Sequence, residues 1–325
     1  MRRRELIALL GGAALARPLG ARAQARRKRR VGFLHPGQSE YVNMRIVAFR
    51  EGLAGPGARG EIQVEIVARM ANERFDQLPA MAAELVRLGP EAICAVSPPA
   101  VHAAQAATRS VPIVAMDLES DPVANGWAAS LARPGGNITG IFLDFPDFTA
   151  KCLQLLREAL PVLAKLAVLW HPAAGDLQLA AARNAAAALG ITVEVFEVSR
   201  VADFGAAFRA MAEARAEGVL MLSTPLFGGN PQPLAELALK HRLAAVTIFP
   251  EFAEKGGLIG YGPDLQALFA QAGTLTRKAL QGAAAADLPV ERPSRFKLVA
   301  NLKTAKAIGL ALPTSILLRA DEVIE

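Results

Sequence analysis

The chain has 325 residues, of which 52% are hydrophobic and 20% charged, and its formal net charge is +6 at pH 7. Residues 1–23 carry five arginines and one glutamate, and Arg26–Arg30 add five positive charges, so Val31–Glu325 has a net charge of −3. The basic charge therefore belongs to one short tract. This argues against a nucleic-acid-binding or lipid-binding fold and favours a solvated arm. The length exceeds what one hydrophobic core usually serves, so we expect two lobes.

The N-terminus has the pattern of a signal peptide at residues 1–23. Arg2–Arg4 form a basic region, Leu6–Ala16 form a short apolar segment, and Ala21-Arg22-Ala23 places small residues where a signal peptidase reads. The apolar segment is too short to span a hydrocarbon core about 30 Å thick, so we expect no membrane insertion of the mature chain. The alternative is an amphipathic first helix of a cytosolic domain.

The predicted destination is the periplasm. The arginines fit either the twin-arginine or the general secretion route, and the sequence leaves both open. A basic N-terminal arm at 24–30 follows the signal peptide, and we expect the mature protein to be a monomer.

The rest of the chain alternates short β-branched runs with helical stretches rich in alanine and leucine. The runs lack strict alternation of apolar and polar residues, which is typical of parallel strands covered by helices on both faces. The predicted strands are Arg30–Leu34, Ile62–Val67, Ala92–Val96, Ile113–Met116, Thr139–Phe142, Leu166–Trp170, Thr192–Glu197, Gly218–Leu222, Ala245–Phe249 and Leu258–Tyr261. The predicted helices are Leu78–Leu88, Pro99–Arg109, Phe148–Leu160, Gln178–Leu189, Phe204–Arg215, Pro233–His241 and Leu265–Gln281. The predicted fold class is α/β, with two Rossmann-like lobes built on parallel sheets.

An internal repeat supports the two lobes. The segment VGFLHPG at Val31–Gly37 recurs as AVLWHPAAG at Ala167–Gly175, and each closes the first strand of a series of alternating strands and helices. We expect His35 and His171 to cap or order these two turns. Because ligands of open parallel sheets bind outside the carboxyl ends of the strands, two such sheets place their loops around one cleft.

Clusters of glycine and proline mark three predicted crossings between the lobes, which together form a three-strand hinge. They lie at Arg133–Asn137, at Lys255–Gly257 and at Asp287–Pro293. The predicted N-terminal lobe comprises 31–140 plus 259–288, and the predicted C-terminal lobe comprises 141–258 plus 289–325.

Motifs for catalysis, metal binding and phosphate binding are absent from the sequence. The four histidines have no metal-ligand spacing, and the chain contains no GxGxxG, GxxxxGK[ST] or GxSxG motif. Cys94 and Cys152 are predicted to be buried free thiols, although a disulfide is permitted in the periplasm. We therefore expect no enzymatic activity, no cofactor and no metal.

Polar residues at strand ends are the candidates for ligand binding. Ser97-Pro98-Pro99-Ala100 opens a helix after a buried strand, and its hydroxyl and backbone N–H groups could hold a carboxylate. An ordinary helix cap explains the same residues, just as a solvated loop explains each acidic residue and core packing explains each aromatic one. The predicted ligand-binding residues are Ser39, Ser97, Pro99, Ala100, Asp117, Asp121, Asp144, Thr224, Phe227, Glu251 and Tyr261.

The sequence resembles the ABC-transporter substrate-binding proteins of the tryptophan/tyrosine-binding-like group. The resemblance covers nearly the whole chain and is carried by RRVGFLHPG, SDPVANGWAASLARPGGNITG, EFAEKGGLIGYG and FKLVANLKTAKAIGLALPTSILLRADEVIE. It implies a type I periplasmic-binding-protein fold, with an ABC permease and an ATPase as partners.

Members of that group bind aromatic amino acids, with contacts from loops that match Ser97–Ala100, Asp117–Asp121 and Thr224–Phe227. This sequence departs from the group at two of these loops. Pro98 and Pro99 replace a turn rich in glycine and threonine and remove two backbone donors, and Asp117–Asp121 is more acidic than the usual turn. Both departures weaken the case for an amino-acid carboxylate and leave room for a neutral or cationic ligand.

The predicted function is that of a periplasmic substrate-binding component of an ABC importer, which closes on a small molecule between its lobes. The ligand could be an amino acid or an aromatic or carboxylate compound. Two alternatives remain: an exported ligand-sensing protein without a transporter, and an exported enzyme on the same scaffold. A LacI-like regulator would need a DNA-binding helix-turn-helix where this chain has a signal peptide.

Overall fold

The computed structural model of the protein describes residues 29–37, 39–55, 63–143 and 145–325. The predicted signal peptide, residues 24–28 of the predicted arm and Asp144 lie outside the described residues.

The first part of the chain forms a parallel sheet with the strand order β2-β1-β3-β4-β5. Its strands are β1 (Arg29–His35), β2 (Val64–Met70), β3 (Ala92–Val96), β4 (Ile113–Asp117) and β5 (Ile138–Phe142). Every residue of β3, β4 and β5 is buried, because these strands are covered on both faces. This explains why their sequences are continuous apolar runs.

The second part of the chain forms a sheet with the order β12-β11-β10-β9-β8-β6-β7, in which the pair β10–β11 is antiparallel and the other pairs are parallel. Its strands are β6 (Lys165–Trp170), β7 (Thr192–Glu197), β8 (Gly218–Met221), β9 (Ala244–Thr247), β10 (Ile259–Pro263), β11 (Phe296–Asn301) and β12 (Glu322–Ile324). The predicted α/β class with mostly parallel sheets is confirmed.

Helices connect the strands of both sheets. Within the described residues they are α1 (Ser39–Ala54), α2 (Leu78–Arg87), α3 (Ser97–Ala107), α4 (Phe145–Ala159), α5 (Leu177–Ala188), α6 (Phe204–Glu213), α7 (Pro225–Gly228), α8 (Pro231–Lys240), α9 (Pro250–Glu254), α10 (Leu265–Leu280), α11 (Leu302–Ile308) and α12 (Thr314–Arg319). In this part of the chain no helix combines the length and the apolar character needed to cross a membrane.

The two sheets repeat one topology. The order β2-β1-β3-β4 in one sheet corresponds to β7-β6-β8-β9 in the other, and β1 and β6 each end in a histidine turn. Nδ1 of His35 accepts a hydrogen bond from the backbone N–H of Gly37 at 2.8 Å, and Nδ1 of His171 accepts one from Ala173 at 3.0 Å. The predicted role of both histidines in ordering their turns is confirmed.

The sheet pairings differ from the predicted lobe bounds at each crossing. The prediction assigned 259–288 to the N-terminal lobe. In the structure β10 pairs with β9 and β11 in the seven-stranded sheet, whereas α10 packs against α1, β3 and β4, and Ala285–Asp287 packs against β5. Glu291 still pairs with β5, since its N–H donates to Gly140 and Phe142 donates to its carbonyl. The chain therefore changes sheets after Phe142, near Asp264 and after Glu291.

Helices α1 and α10 approach each other closely because both carry glycine at the crossing. A Cβ atom at Gly52 of α1 would lie 1.8 Å from the carbonyl oxygen of Ala270, and one at Gly273 of α10 would lie 2.1 Å from that of Phe49. These neighbours are backbone atoms, which cannot turn aside as a side chain could.

We expect Gly273→Ala to destabilise the protein by about 1–3 kcal/mol, because the added methyl forces the two helices apart. Urea denaturation followed by circular dichroism measures this change. Gly205→Ala in α6 is the matched control, since its Cβ would meet no heavy atom within 4 Å, and it should keep or slightly raise the midpoint. Equal midpoints for the two variants would contradict the close packing of α1 and α10.

Candidate functional site

Loops at the carboxyl ends of the two sheets meet directly. The loop after β4 carries Glu119, and the loop after β8 carries Ser223, whose hydroxyl donates a hydrogen bond to Oε1 of Glu119 at 2.6 Å. Ser97 at the start of α3 and Pro225 in α7 line the same small cavities as Glu119. We call the region formed by Ser97, Glu119 and 223–228 the strand-end junction.

Further contacts join the two sheets around this junction. A guanidinium nitrogen of Arg45 in α1 donates to the carbonyl of Gly228 at 2.9 Å, and the side-chain amide of Asn230 donates to Glu73 at 3.2 Å. The ring of Phe75 lies 5.0 Å from that of His171, centroid to centroid. Together these contacts hold the loops close, and the cavity between Arg45 and Glu119 has a volume of only about 20 Å³.

Ser97 has an unusual backbone and an unsatisfied side chain. Its φ is +69°, a left-handed conformation that costs a non-glycine residue about 1–3 kcal/mol. Only 1% of Ser97 is exposed, and its Oγ has no hydrogen-bond partner among the described residues. Backbone strain and an unused hydroxyl at one residue are typical of a functional position.

Two carboxyl groups are buried side by side at the end of β4. Oδ1 of Asp117 accepts a hydrogen bond from the backbone N–H of Glu119 at 2.8 Å. Burial raises the pKa of Asp117 to about 6, and burial together with repulsion from Asp117 raises the pKa of Glu119 well above its usual range. The loop after β4 therefore holds two acids that favour protonation when no cation is near.

Unsatisfied acceptors concentrate at the strand ends. Within the described part of the chain, each buried side-chain oxygen that lacks a hydrogen-bond partner belongs to Ser97, Asp117, Thr247 or Glu251. These residues follow or end β3, β4 and β9, whose carboxyl ends are the predicted place for a ligand. Burial also raises the pKa of Glu251, which lines a larger groove of about 570 Å³ beside α1.

The Ser223 loop is ordered by a residue that sequence reasoning missed. The side chain of Gln178 in α5 accepts a hydrogen bond from the N–H of Ser223 at 2.6 Å and donates to its carbonyl at 2.9 Å. This pair of bonds fixes the backbone, so the hydroxyl is aimed at Glu119. A buried glutamine on a predicted helix gives no sequence signal, because an exposed glutamine looks the same.

Arg45 and His35 were also missed as parts of the site. Arg45 lies 3.3 Å from Nε2 of His35, and burial, with the charge of Arg45, lowers the pKa of His35 well below its usual range. His35 is therefore neutral near pH 7. Arg45 lies in α1, which the sequence analysis did not predict, and this is why it escaped notice.

The other predicted residues are spread over the fold. Ala100 and Phe227 are buried in the core, where the Phe227 ring lies 6.0 Å from that of Phe204, and Thr224 caps α7 by accepting from Leu226 at 3.4 Å. Thr224 and Pro99 nevertheless line a small cavity with Glu119.

Four predicted residues either lie away from Glu119 or have side chains outside the described part of the chain. Asp121 is exposed and accepts backbone hydrogen bonds from Val123 and Ala124, so it acts as a turn cap beside a separate cavity of about 260 Å³. Tyr261 stacks on Phe148 at 5.0 Å. Ser39 begins α1, but its side chain, like Asp144, lies outside the described residues.

Among the described residues, no group of three or more histidine, cysteine, aspartate or glutamate side chains is placed to hold a metal ion. Cys94 and Cys152 are free and buried, as predicted, and burial raises the pKa of both thiols, that of Cys152 to about 12.

We expect Glu119→Gln to stabilise the protein near pH 7.5 by about 1–3 kcal/mol, because it removes a carboxyl group that folding must protonate or bury as a charge, while an amide oxygen still accepts from Ser223. A carboxyl whose pKa is raised by folding costs stability as the pH rises from about 4 through the raised pKa. The gain should therefore shrink towards pH 4.5. Thermal denaturation at both pH values measures it, and the exposed Asp121→Asn serves as control. A gain independent of pH would contradict the buried charge.

Comparisons with known proteins agree with this architecture. The family model described as ABC transporter substrate binding protein matches residues 35–324. A curated relative, the tyrosine-binding protein of Clostridioides difficile strain R20291, is 23% identical over 266 residues, which is 81% of this chain and 75% of the relative.

Solved structures show the same fold. A conserved domain protein from Vibrio cholerae is 21% identical with a TM-score of 0.83, and covers 91% of this chain and 100% of that one. The ABC domain in complex with L-Trp from Streptococcus pneumonia is 23% identical with a TM-score of 0.82, and covers 92% and 100%. The type I periplasmic-binding-protein fold that the resemblance implied is confirmed. Because the family model spans most of its length, the chain belongs to the family of ABC transporter substrate-binding proteins.

Proposed function

We propose that the protein is the periplasmic substrate-binding component of an ABC importer and that its small-molecule ligand binds at the strand-end junction. The observation that carries this proposal is that buried oxygens without partners occur in the junction, at Ser97, and at the carboxyl ends of β4 and β9, the strands that neighbour β3 and β8 in the two sheets. Leaving such groups unsatisfied costs about 1–3 kcal/mol each, so a ligand that donates hydrogen bonds to them would stabilise the protein.

The contacts across the junction support closure as the mode of binding. Ser223 touches Glu119 directly, and the cavity beside them is far smaller than the roughly 300–1,000 Å³ of a typical ligand pocket. A ligand must therefore enter while these loops are apart, and closure would then bring both sheets onto it. The three places where the chain changes sheets offer the hinge for this rotation.

Membership of the family supports the proposed partners and the proposed absence of enzymatic activity. Its members are substrate-binding proteins and not enzymes, so the ligand would be handed unchanged to an ABC permease with its ATPase. The named ligands of two similar proteins, tyrosine and tryptophan, are small amino acids with an ammonium group, a carboxylate and an aromatic side chain. We propose a monomer in the periplasm that binds a ligand of this size.

A thermal-shift panel of amino acids, aromatic acids, amines and sugars tests the proposed binding. One class should raise the midpoint of unfolding, because a ligand that binds only the folded state stabilises it by mass action. Incubation of any hit with the protein, followed by mass spectrometry, should return it unchanged. If no compound shifts the midpoint, or if the hit is turned over, the proposed function is wrong.

Substitution of Ser97 by glycine should separate binding from folding. Glycine accepts a φ of +69° without strain, so Ser97→Gly should keep or raise the thermal midpoint while it weakens the panel hit about tenfold by removing the hydroxyl. Calorimetric titration measures the affinity, and the exposed Ser110→Ala is the control. Unchanged affinity would place the ligand elsewhere.

Labels on the two halves test closure. Leu88 precedes β3 and Leu189 precedes β7, both are 38% exposed, and each lies at the end of a sheet remote from the junction. Spin labels on cysteines at these positions should show a ligand-dependent change in distance, and the buried Cys94 and Cys152 should stay unlabelled. Identical distance distributions with and without the panel hit would contradict hinge closure.

A further inference from the structure

The chemistry of the junction is dominated by acceptors. Glu119 and Ser97 line the same cavity, and Asp117 supports the Glu119 loop through the hydrogen bond to its backbone N–H. The described buried oxygens without partners include that of Asp117 in addition to the Ser97 hydroxyl, which can both accept and donate. A ligand with donors would satisfy the carboxyl groups, and a second negative charge beside them would be unfavourable.

The buried carboxyl groups favour a cationic ligand over an anionic one. A buried carboxylate is costly unless a cation or several donors face it, and Glu119 has one hydroxyl partner, Ser223, with Asp117 as a like-charged neighbour. A protonated amine carries one positive charge, three N–H donors and no acceptor. Its charge would offset that of Glu119, and its donors would serve Glu119 and the Ser97 hydroxyl.

The start of α3 gives little help to an anion. A carboxylate at a helix N-terminus is held by the first backbone N–H groups, but Pro98 and Pro99 have none. Arg45 lines the cavity too. Its guanidinium donates to the carbonyl of Gly228 and contacts His35, and its charge acts on the carboxyl group of Glu251 in the neighbouring groove, which Arg45 also lines.

On the basis of the proposed function, we propose that Glu119, positioned by Asp117, binds the protonated amine of a cationic ligand, so that the amine group and not a carboxylate determines specificity. The site would accept an organic amine with an apolar body, since Met116, Leu118, Phe249 and Phe269 line the same cavity. Glu119 makes the charged contact, and Ser223 yields part of its contact with Glu119 when the ligand enters.

Binding of the amine should release a proton. The buried pair favours the protonated form without a ligand, and the ammonium group favours the ionised form, so the Glu119 proton leaves to the buffer while the amine keeps its own. Arg45 on α1 lines the same cavity as Glu119, His35 contacts Arg45, and Arg45 in turn acts on Glu251 of α9. Arg45 keeps its charge and His35 stays neutral near pH 7, so the affinity for an amine should increase from about pH 5 to about pH 8.

Matched probes test the proposal on the full chain. Tyramine and tryptamine are compared with 4-ethylphenol and 3-ethylindole, which lack the amine, and with 3-(4-hydroxyphenyl)propionate and indole-3-propionate, which replace it by a carboxylate. Calorimetric titration should show binding of an amine at least about tenfold tighter than that of its neutral counterpart, and weakest binding of the acid. Titrations in two buffers of different ionisation enthalpy should reveal proton release.

Two variants test whether Glu119 is responsible for the amine affinity and for its pH dependence. Glu119→Gln keeps the acceptor for Ser223 but should lose about tenfold or more in amine affinity, lose the pH dependence and leave binding of the neutral probe unchanged. Asp117→Asn should reduce the pH dependence. Glu213→Gln is the matched control, because Glu213 is exposed on α6, and it should behave as the wild type.

The outcomes separate this inference from the proposed function. If the amines bind no better than the neutral probes, or if Glu119→Gln leaves the amine affinity and its pH dependence intact, the inference is overturned. If the amines do not bind while another class of compound in the thermal-shift panel does, the inference is wrong and the proposed substrate-binding function is retained. If nothing in the panel binds, both are wrong.

Discussion

The hydrogen bond from Ser223 to Glu119 brings together the features on which the rest of the junction depends. It connects the two sheets, it places one of two adjacent carboxyl groups in a position nearly closed to water, and it needs the Gln178 contacts that fix the Ser223 backbone. A carboxyl group in such a place must be neutral or must face a donor of positive charge. The cost of burial therefore constrains the chemistry of the ligand that we propose for this junction.

Duplication explains why this contact exists. Both sheets share the strand order around β1 and β6, and both bring a serine after the third strand or its equivalent, Ser97 after β3 and Ser223 after β8. The two serines have different tasks, because Ser97 opens a helix at a strained φ while Ser223 precedes the cap of α7. Facing copies of one architecture thus supply unlike groups to one site.

Much of the fold could be predicted because buried parallel strands are continuous apolar runs, and all ten predicted strands are present with ends shifted by a few residues. The helix α1 was missed because Met44 and Val47 are exposed, which blurs its helical periodicity, and its packing against α10 decides its structure. The strands β11 and β12 were missed since their pairing is set by distant partners. At the candidate site, the sequence singled out the polar loops after the strands but could not separate Glu119, which lines the cavity, from Asp121, which caps a turn.

The histidine turns after β1 and β6 make both halves of the protein sensitive to acid in the same way. Each Nδ1 accepts a backbone N–H, and an imidazolium has no lone pair left to do so. Protonation would break the same turn in both sheets, and burial resists it in both by lowering the pKa of each histidine. The repeat that gives the two sheets one topology therefore also gives both of them the same acid-sensitive turn.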